Sequence, residues 1–414
     1  MKMKLRGYLI LVFMLCSICL PAQSENFITI TGTIADSQTK DRLGLASIGI
    51  SNQALGTISN TLGEFMLRVP EQFFNDTLIV TYLGYKKYTH AISRINNNSR
   101  LQVELTPEST MLQEISVYAN KLTAEQVIEK AVYAIKENYP TDAFLVEGFF
   151  RDILKENEKY VELTEAALKV FDKHFQRKLN HGITEEVIIS EARKSINYAN
   201  PLIQRVRKQN GIMDLLDDNP VHYTRGLLNT KYFDYEMDSS IETNDGLVYI
   251  ISTIPAQHRI YVLASNYAII KTVQELKEND TFFKRPEFSL NDSLVVRRMV
   301  YFQAISEFQK YHGKMYLKYS NETDAYEVLH KISRKRKFLV EAFKEFVVTN
   351  IIDEDVRPFN KKEKYNFRDG VANKNYHPAF WENFSTIQLS PLNYQVKKDL
   401  ERDFSLEDQF AKVK

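Results

Sequence analysis

The chain has 414 residues, of which 44% are hydrophobic, 12% aromatic and 26% charged, and its formal net charge is +1. This composition is typical of a folded protein with a sizeable core, and the near-zero charge argues against nucleic acid or a strongly anionic surface as an obligatory partner. The length predicts two or three domains.

Residues 1–22 have the layout of a secretory signal peptide. Three cations precede an apolar run over 8–20, which is too short to span a membrane comfortably, and small residues follow it. We expect cleavage after Ala22. Cys16 and Cys19 both lie in the removed segment, so the mature chain would have neither disulfides nor thiolate metal sites. Neither cysteine follows the small residue that a lipoprotein signal requires. No later apolar run is long enough to predict a transmembrane helix in the mature chain.

The stretch 27–118 contains short runs in which apolar and polar residues alternate. Phe65, Leu67 and Val69 are one such set, and they alternate with Glu64 and Arg68. Alternation places one set inward and the other outward, which predicts a β-sandwich. Gly63, just before Phe65, is predicted to take a positive φ where the chain turns back into a strand.

This stretch closely resembles the carboxypeptidase-regulatory-like domain, a transthyretin-like sandwich common at the front of Bacteroidetes envelope proteins. The residues that carry the resemblance are Gly32, Asp36, Ala46, Ile48, Ile50, Gly56, Thr57, Asn60, Gly63, Phe65, Tyr82, Gly84, Tyr85, Leu112, Glu114, Ile115 and Val117. The resemblance implies a sandwich over 25–119 that accompanies enzymes and receptors without being catalytic itself. It also implies an exported protein of the periplasm or the periplasmic face of the outer membrane.

The region 120–357 is predicted to be an α+β domain. Thr123 has capping-box spacing to Gln126 and begins a helix that Pro140 ends. The apolar face of this helix consists of Ala124, Val127, Ile128, Ala131 and Ile135. Strand-like stretches follow at 144–154, 159–171 and 185–198, and then a helix over 201–216 that Gly211 interrupts.

From 231 to 352 the pattern predicts successive hairpins. The turns are expected at 244–246, 265–266, 312–313 and 321–324. The strands are expected at 232–242, 247–253, 259–264, 267–276, 294–308, 314–320, 325–333 and 338–351. Sequential strands tend to be neighbours, so one wide antiparallel meander is predicted, and a sheet this wide must curl. We expect the helix at 123–139 on its concave face.

The C-terminal segment 358–414 is predicted to pack on this sheet, with a helix from 392 to 404. Trp381 either anchors the segment or closes the mouth of a cavity. The aromatic residues in general are predicted to serve core packing and cross-strand pairs. The less favoured alternative is that they line a groove for an apolar ligand or glycan. The fold class is therefore mainly β with α (α+β): an Ig/transthyretin-like sandwich followed by a large curled antiparallel sheet domain with a few helices.

Two weaker resemblances concern this second region. Its beginning looks like an uncharacterised continuation that follows the same sandwich in other proteins. The pair of strands 259–262 and 266–270 is similar to an element of lipoprotein-sorting half-barrels, in which a curled sheet holds lipid against an inner helix. That resemblance implies an apolar ligand, and the small side chains on the inward face of the predicted helix favour a cavity beside it.

No catalytic, cofactor-binding or metal-ligating residue is predicted, because the common zinc-protease, hydrolase and nucleotide motifs are missing from the sequence. His174 and His181 form the closest histidine pair, at a spacing that does not suggest a metal site. The segment from Ser37 to Lys40 has Ser-x-x-Lys spacing but is predicted to be a turn.

Three charged clusters remain. Two are acidic, Asp214 with Asp217 and Asp218, and Asp353 with Glu354 and Asp355; paired carboxylates can perform acid–base chemistry or bind calcium, but solvated turns are favoured. The third is a basic run, Lys331 with Arg334 to Lys337. A solvated hairpin end is the favoured interpretation, and a contact with phosphate or anionic lipid is the alternative.

These observations favour a non-enzymatic, exported envelope protein with a binding, assembly or transport-accessory role. Its expected partners are envelope proteins or an apolar ligand. One alternative is an unrecognised hydrolase of peptide or glycan, which should show convergent polar groups with perturbed ionisation in a pocket. The other is an accessory component of a TonB-dependent transporter.

Overall fold

The computed structural model describes residues 26–96, 100–108, 122–173, 184–206, 211–222, 226–256, 258–277, 287–289, 294–365, 371, 376–384 and 392–412. The predicted signal peptide lies outside these residues. So do the predicted closing motif of the sandwich at 112–117 and the histidine pair His174 and His181.

The N-terminal region is a β-sandwich, as predicted. Its strands are β1 (Phe27–Asp36), β2 (Ser47–Ile50), β3 (Gly56–Ile58), β4 (Glu64–Pro70), β5 (Thr77–Thr81), β6 (Tyr88–Ala91) and β7 (Leu101–Leu105). One sheet has the order β4-β1-β7 and the other β3-β2-β5-β6. The alternating apolar residues of both sheets, Phe65, Leu67 and Val69 among them, form one core of their own. Gly63 has a φ of +70°, as its place before β4 predicted.

The rest of the strands form one large antiparallel sheet. They are β8 (Phe144–Glu156), β9 (Lys159–Asp172), β10 (Glu186–Lys194), β11 (Asp234–Thr243), β12 (Gly246–Ile254), β13 (Arg259–Leu263), β14 (Ile269–Lys277), β15 (Glu287–Ser289), β16 (Val295–Tyr311), β17 (Lys314–His330) and β18 (Arg336–Ile352). The main order is β10-β9-β8-β18-β17-β16-β14-β13-β12-β11, and β15 pairs with β16. The predicted meander is confirmed, and the pairing of β8 with β18 extends it by three strands that the sequence pattern did not place.

The helices are α1 (Ala124–Asn138), α2 (Pro201–Val206), α3 (Ile212–Asp217), α4 (Pro378–Asn383), α5 (Leu392–Leu400) and α6 (Leu406–Lys412). Thr123 caps α1 with the predicted capping box. The sheet curls around α1, because Val187 of β10 and Tyr235 of β11, at opposite ends of the strand order, pack in one core with Ile128 of that helix. The concave face is therefore the inner face of the sheet.

The space between α1 and the inner face of the sheet is filled by protein. Side chains of α3 and of the segment after it pack there, at 5% exposure or less, namely Ile212, Leu215, Leu216, Val221, Leu227 and Leu228. The small residues on the inward face of α1 suggested a cavity at this place. The sequence pattern did not show that α3 would enter the curl and occupy that volume.

Two predicted boundaries were wrong, and one predicted interruption is confirmed. The expected turn at 321–324 lies within the continuous strand β17, because its polar side chains have partners on neighbouring strands; for example, Glu322 accepts a hydrogen bond from Lys344. The helix predicted over 201–216 with an interruption at Gly211 is confirmed as α2 and α3, and Gly211 immediately precedes α3. The C-terminal helix ends at Leu400, and Gln409 of α6 donates to the Leu400 carbonyl oxygen.

Two layers cover the outer face of the sheet. Helices α5 and α6 pack against β9 and β10 through Val396, Leu400 and Phe410. The sandwich contacts β18 through β3, and Ile58 packs with Trp381 in a shared cluster. Trp381 is 6% exposed and thus anchors the C-terminal segment on the sheet. Within the part of the chain described, no helix has both the length and the apolar character needed to cross a bilayer.

Candidate functional site

A large cavity lies between the sandwich and the outer face of the large sheet. Its volume is about 990 Å³. One wall is formed by β2, β3, β5 and the turn after β5, and the other by β13, β14 and β16 to β18. Half-buried apolar side chains line both walls, including Leu45, Leu55, Ile79, Leu263 and Ile270. We call this space the interdomain cleft.

Three charged side chains on adjacent strands lie together on the sheet side of the cleft. Lys271 of β14 is directly opposite Glu307 of β16, and Lys271 Nζ lies 2.6 Å from Glu307 Oε1. Lys318 sits at the irregularity in the pairing of β16 with β17, and its Nζ lies 3.7 Å from Glu307 Oε2. The bulge therefore brings a second ammonium to the same carboxylate, and the cluster has an excess of one positive charge.

The pKa values of this cluster identify Lys318 as its least compensated member. Burial opposes ionisation of Glu307, but the charges of Lys271 and Lys318 outweigh it and lower the pKa of the carboxyl. Burial also acts against Lys271, yet Glu307 raises the pKa of that ammonium. Burial lowers the pKa of Lys318, and the weaker, longer contact with Glu307 does not restore it. An additional anion in the cleft would stabilise the Lys318 ammonium.

Aromatic side chains surround these charges. The Lys271 ammonium lies 6.0 Å from the centre of the Tyr261 ring. On the sandwich side, the rings of Tyr82 and Tyr85 are 5.3 Å apart. Tyr85 donates a hydrogen bond to Asp36 at 2.8 Å, and burial together with this bond raises the pKa of Tyr85 to about 12. The phenol therefore stays neutral at physiological pH.

The first acidic cluster is not a solvated turn. Asp214 of α3 accepts a hydrogen bond from the buried Lys344 of β18 at 2.6 Å, and Glu322 accepts another at 2.7 Å. Burial, followed by the charge of Glu322 and a hydrogen bond to it, raises the pKa of Asp218 well above its usual range. This network attaches α3 to the inner face of the sheet. None of its members lines the interdomain cleft.

The other predicted features lie at the surface. Glu354 and Asp355 are exposed, whereas Asp353 lies 3.0 Å from His312. Lys331 and the basic run from Arg334 to Lys337 are exposed at the β17–β18 turn, as expected of a hairpin end. The sequence from Ser37 to Lys40 follows β1 and contains a turn, in which Asp36 accepts two backbone hydrogen bonds.

Sequence reasoning missed the cleft residues Lys271, Glu307 and Lys318. They are isolated charges within alternating strands, where a charge normally indicates a solvated face. It also missed a group of three side chains in the large domain that could hold a metal ion, Asp172, Glu185 and His222. None of these three lines the cleft.

Comparison with protein families assigns the sandwich. Residues 30–117 match the family described as the CarboxypepD_reg-like domain. This part of the chain is a CarboxypepD_reg-like domain. The match ends before α1, so the large sheet, the C-terminal helices and one wall of the cleft lie outside the CarboxypepD_reg-like domain.

Solved structures are similar to the chain only at a low level. A LolA superfamily protein from Nitrosomonas europaea is 14% identical, with 59% of this chain and 99% of that one covered and a TM-score of 0.23. A putative membrane-associated protein of unknown function from Bacteroides fragilis is 11% identical, with 79% and 99% covered and a TM-score of 0.16. Lipovitellin is 9% identical, with 54% and 27% covered and a TM-score of 0.25. These TM-scores are too low for the likenesses to bear on function. No curated protein matches the chain.

Proposed function

We propose that the protein is a non-enzymatic, exported envelope protein that binds an anionic amphiphile in the interdomain cleft. Lys318 is the observation that carries this proposal: it is a buried ammonium, incompletely paired with Glu307, at the wall of a large cleft. The anionic group, a carboxylate or a phosphate, would lie beside Lys318. The apolar part would lie along half-buried side chains such as Leu263 and Ile270.

The size and lining of the cleft support a ligand of this class. Small-molecule sites commonly have volumes of about 300 to 1,000 Å³ and combine apolar walls with a few polar groups. A volume of about 990 Å³ reaches the upper end of that range. The envelope location rests on the predicted signal peptide over 1–22 and on the CarboxypepD_reg-like domain.

The placement of perturbed ionisation favours binding over hydrolysis. A hydrolase is expected to hold its acid or base in a pocket. The acid with the strongly raised pKa, Asp218, instead lies in the network that attaches α3 to the sheet and does not line the interdomain cleft. Among the residues described, four lysines and two carboxylates line the cleft, and this excess of positive charge suits recognition of an anion. These residues are Lys87, Lys271, Lys310, Lys318, Asp245 and Glu307, and His312 lies beside them.

The test is binding of three amphiphiles with matched chains: dodecanoate, dodecyl phosphate and the neutral dodecyl maltoside. Calorimetric titration of the mature chain, from Gln23 onward, should show binding of one or both anions, weakened by added salt, and much weaker binding of the neutral compound. Lys318→Met should reduce affinity for the anions by about tenfold or more, since an ion contact is lost. The variant should fold, because replacing a buried, poorly paired ammonium with an apolar side chain of similar length removes a desolvation cost.

Lys169→Met is the matched control. Lys169 is also paired with a glutamate, at 2.6 Å from Glu147, but it does not line the cleft. Its replacement should leave anion binding unchanged. The proposal is wrong if the wild-type protein binds neither anion, or if Lys318→Met and Lys169→Met bind them equally well.

A further inference from the structure

Three buried polar side chains lie together on the inner face of the large sheet, where buried strands usually carry apolar residues. Asp172 ends β9, and Glu185 immediately precedes β10. The pairing of Phe171 with Glu186 places the next residues, Asp172 and Glu185, opposite each other. By strand alternation both carboxylates lie on the same face as the core residues two positions away, Val170 and Val187.

A histidine reaches both carboxylates from a different part of the chain. His222 lies after α3, where Asn219 Oδ1 accepts hydrogen bonds from the backbone N–H groups of Val221 and His222 at 3.1 and 3.4 Å. This turn fixes the backbone from which the imidazole projects. His222 Nε2 lies 3.1 Å from Glu185 Oε1 and 3.6 Å from Asp172 Oδ2.

We propose that Asp172, Glu185 and His222 bind a divalent transition-metal ion. Their ligand atoms all lie within 4.8 Å of one another. Tetrahedral zinc, with bonds of about 2.0 to 2.2 Å to nitrogen and oxygen, places neighbouring ligand atoms about 3.3 to 3.6 Å apart. The two distances from His222 Nε2 bracket that separation. One imidazole and two carboxylates are a donor set suited to zinc, manganese or iron.

The cluster is buried, so solvent competes little for its ligand atoms. The exposed fractions are 5% for the Asp172 side chain, 6% for Glu185 and 1% for His222. A divalent cation at the centre would take the two carboxylates and the neutral imidazole as ligands. With three protein ligands, one coordination position remains for water.

The ion would connect parts of the domain that are distant in sequence. Asp172 and Glu185 belong to one end of the sheet order, while His222 belongs to the segment that fills the curl beside α1. Because metal binding to such a set contributes to folding free energy, the ion would stabilise the inner packing of the large domain. This proposal is independent of ligand binding in the cleft, since none of the three residues lines it.

The experiment uses the mature chain from Gln23 onward, which lacks Cys16 and Cys19, stripped with a chelator and then titrated with Zn²⁺ or Mn²⁺. One ion per chain should bind and raise the melting temperature. Asp172→Asn, Glu185→Gln and His222→Gln should each weaken binding by at least about tenfold, the loss seen even when partners outside the ligand set are removed. The matched control is His312→Gln, which changes an exposed histidine lying 3.0 Å from a single carboxylate, Asp353. This control should bind the ion as the wild type does.

A second measurement covers variants that fail to fold, and it also tests whether His222 is simply an imidazolium between two carboxylates. Nitrogen NMR of the wild-type imidazole should show that Nε2 of His222 changes its signal when Zn²⁺ is added. The proposal is overturned if His222 is protonated and unaffected by Zn²⁺. Ion binding that is equally tight in the wild type and in the three variants would overturn it as well.

Discussion

Two glycines of the sandwich provide a direct test of the structural reasoning, because they share a backbone conformation and differ in the space around them. Gly63 has a φ of +70° and Gly84 a φ of +84°. A Cβ at Gly63 would lie 2.2 Å from the carbonyl oxygen of Ile34, whereas a Cβ at Gly84 would meet nothing within 4 Å. The Ile34 carbonyl also accepts a hydrogen bond from Leu43 at 3.0 Å, so it is not free to move away.

We therefore expect unequal losses of stability from the same substitution. Gly84→Ala should cost only the left-handed backbone penalty, about 1 to 2 kcal/mol. Gly63→Ala should cost about 2 to 5 kcal/mol, because a steric cost of about 1 to 3 kcal/mol is added to the same penalty. Gly63→Val should cost at least as much. Phe65→Ala, which removes a ring that is 0% exposed, should cost about 3 to 5 kcal/mol.

Urea unfolding of residues 25–119, followed by circular dichroism, measures these differences. Native-state hydrogen exchange of the strands on either side of Gly63 measures them in the full-length chain. The excess cost of Gly63→Ala over Gly84→Ala is the decisive quantity. Equal costs for the two alanine variants would refute the assignment of a steric clash at Gly63.

Two further predictions concern the large domain. Glu165 is 1% exposed and binds Arg151 and Arg193 at 2.8 and 2.5 Å, so Glu165→Gln should lower the free energy of unfolding by about 3 to 5 kcal/mol. The control is Glu104→Gln, which changes an exposed ion pair and should cost less than about 1 kcal/mol. Thermal unfolding measures both. Burial opposes ionisation of Glu165, but the two arginines lower its pKa, so this stability is present above the usual glutamate pKa and is lost as pH falls through the lowered value. Glu165→Gln should show a shallower acid loss, and a parallel pH dependence would contradict this. Ala131→Trp should destabilise the domain by about 1 to 3 kcal/mol, because the space beside Ala131 is filled. The same variant should leave amphiphile affinity unchanged. Weakened amphiphile binding would place the ligand beside α1 instead of in the cleft.

The sandwich could be predicted from the sequence because its determinants are local. The period-two pattern assigns Phe65, Leu67 and Val69 to one face without any knowledge of the partner strand. Gly63 marks its turn for a steric reason that holds within the same few residues. The capping box at Thr123 is local in the same sense, and it correctly began α1.

The errors arose where a distant partner determines the conformation. The segment 321–324 reads as a turn because Asn, Glu, Thr and Asp are typical turn or surface residues. In the structure it is a strand, since Lys344 binds Glu322 and Arg297 binds Asp324 at 3.0 Å. These cations come from β18 and β16, and their positions depend on the register of the whole sheet.

The proposed sites depend on distant partners for the same reason. Lys271, Glu307 and Lys318 meet because of the pairing of three strands and one bulge, and the opposite wall of their cleft is more than 180 residues away in sequence. Asp172 and Glu185 meet through the pairing of β9 with β10. His222 joins them only because α3 and the segment after it enter the curl of the sheet.

Charged residues on the outer face of the sheet are buried beneath the covering layer. Arg151, Glu165 and Glu345 alternate with core residues, as solvated side chains would, yet each of their side chains is 6% exposed or less. Trp381, Ile58 and their neighbours form the adjoining cluster of the covering layer. Among the described residues, the ionic partners of these charges all lie on strands of the sheet, so the covering layer does not complete the ion pairs. It keeps water away from them, which strengthens each attraction and makes the loss of any one partner costly.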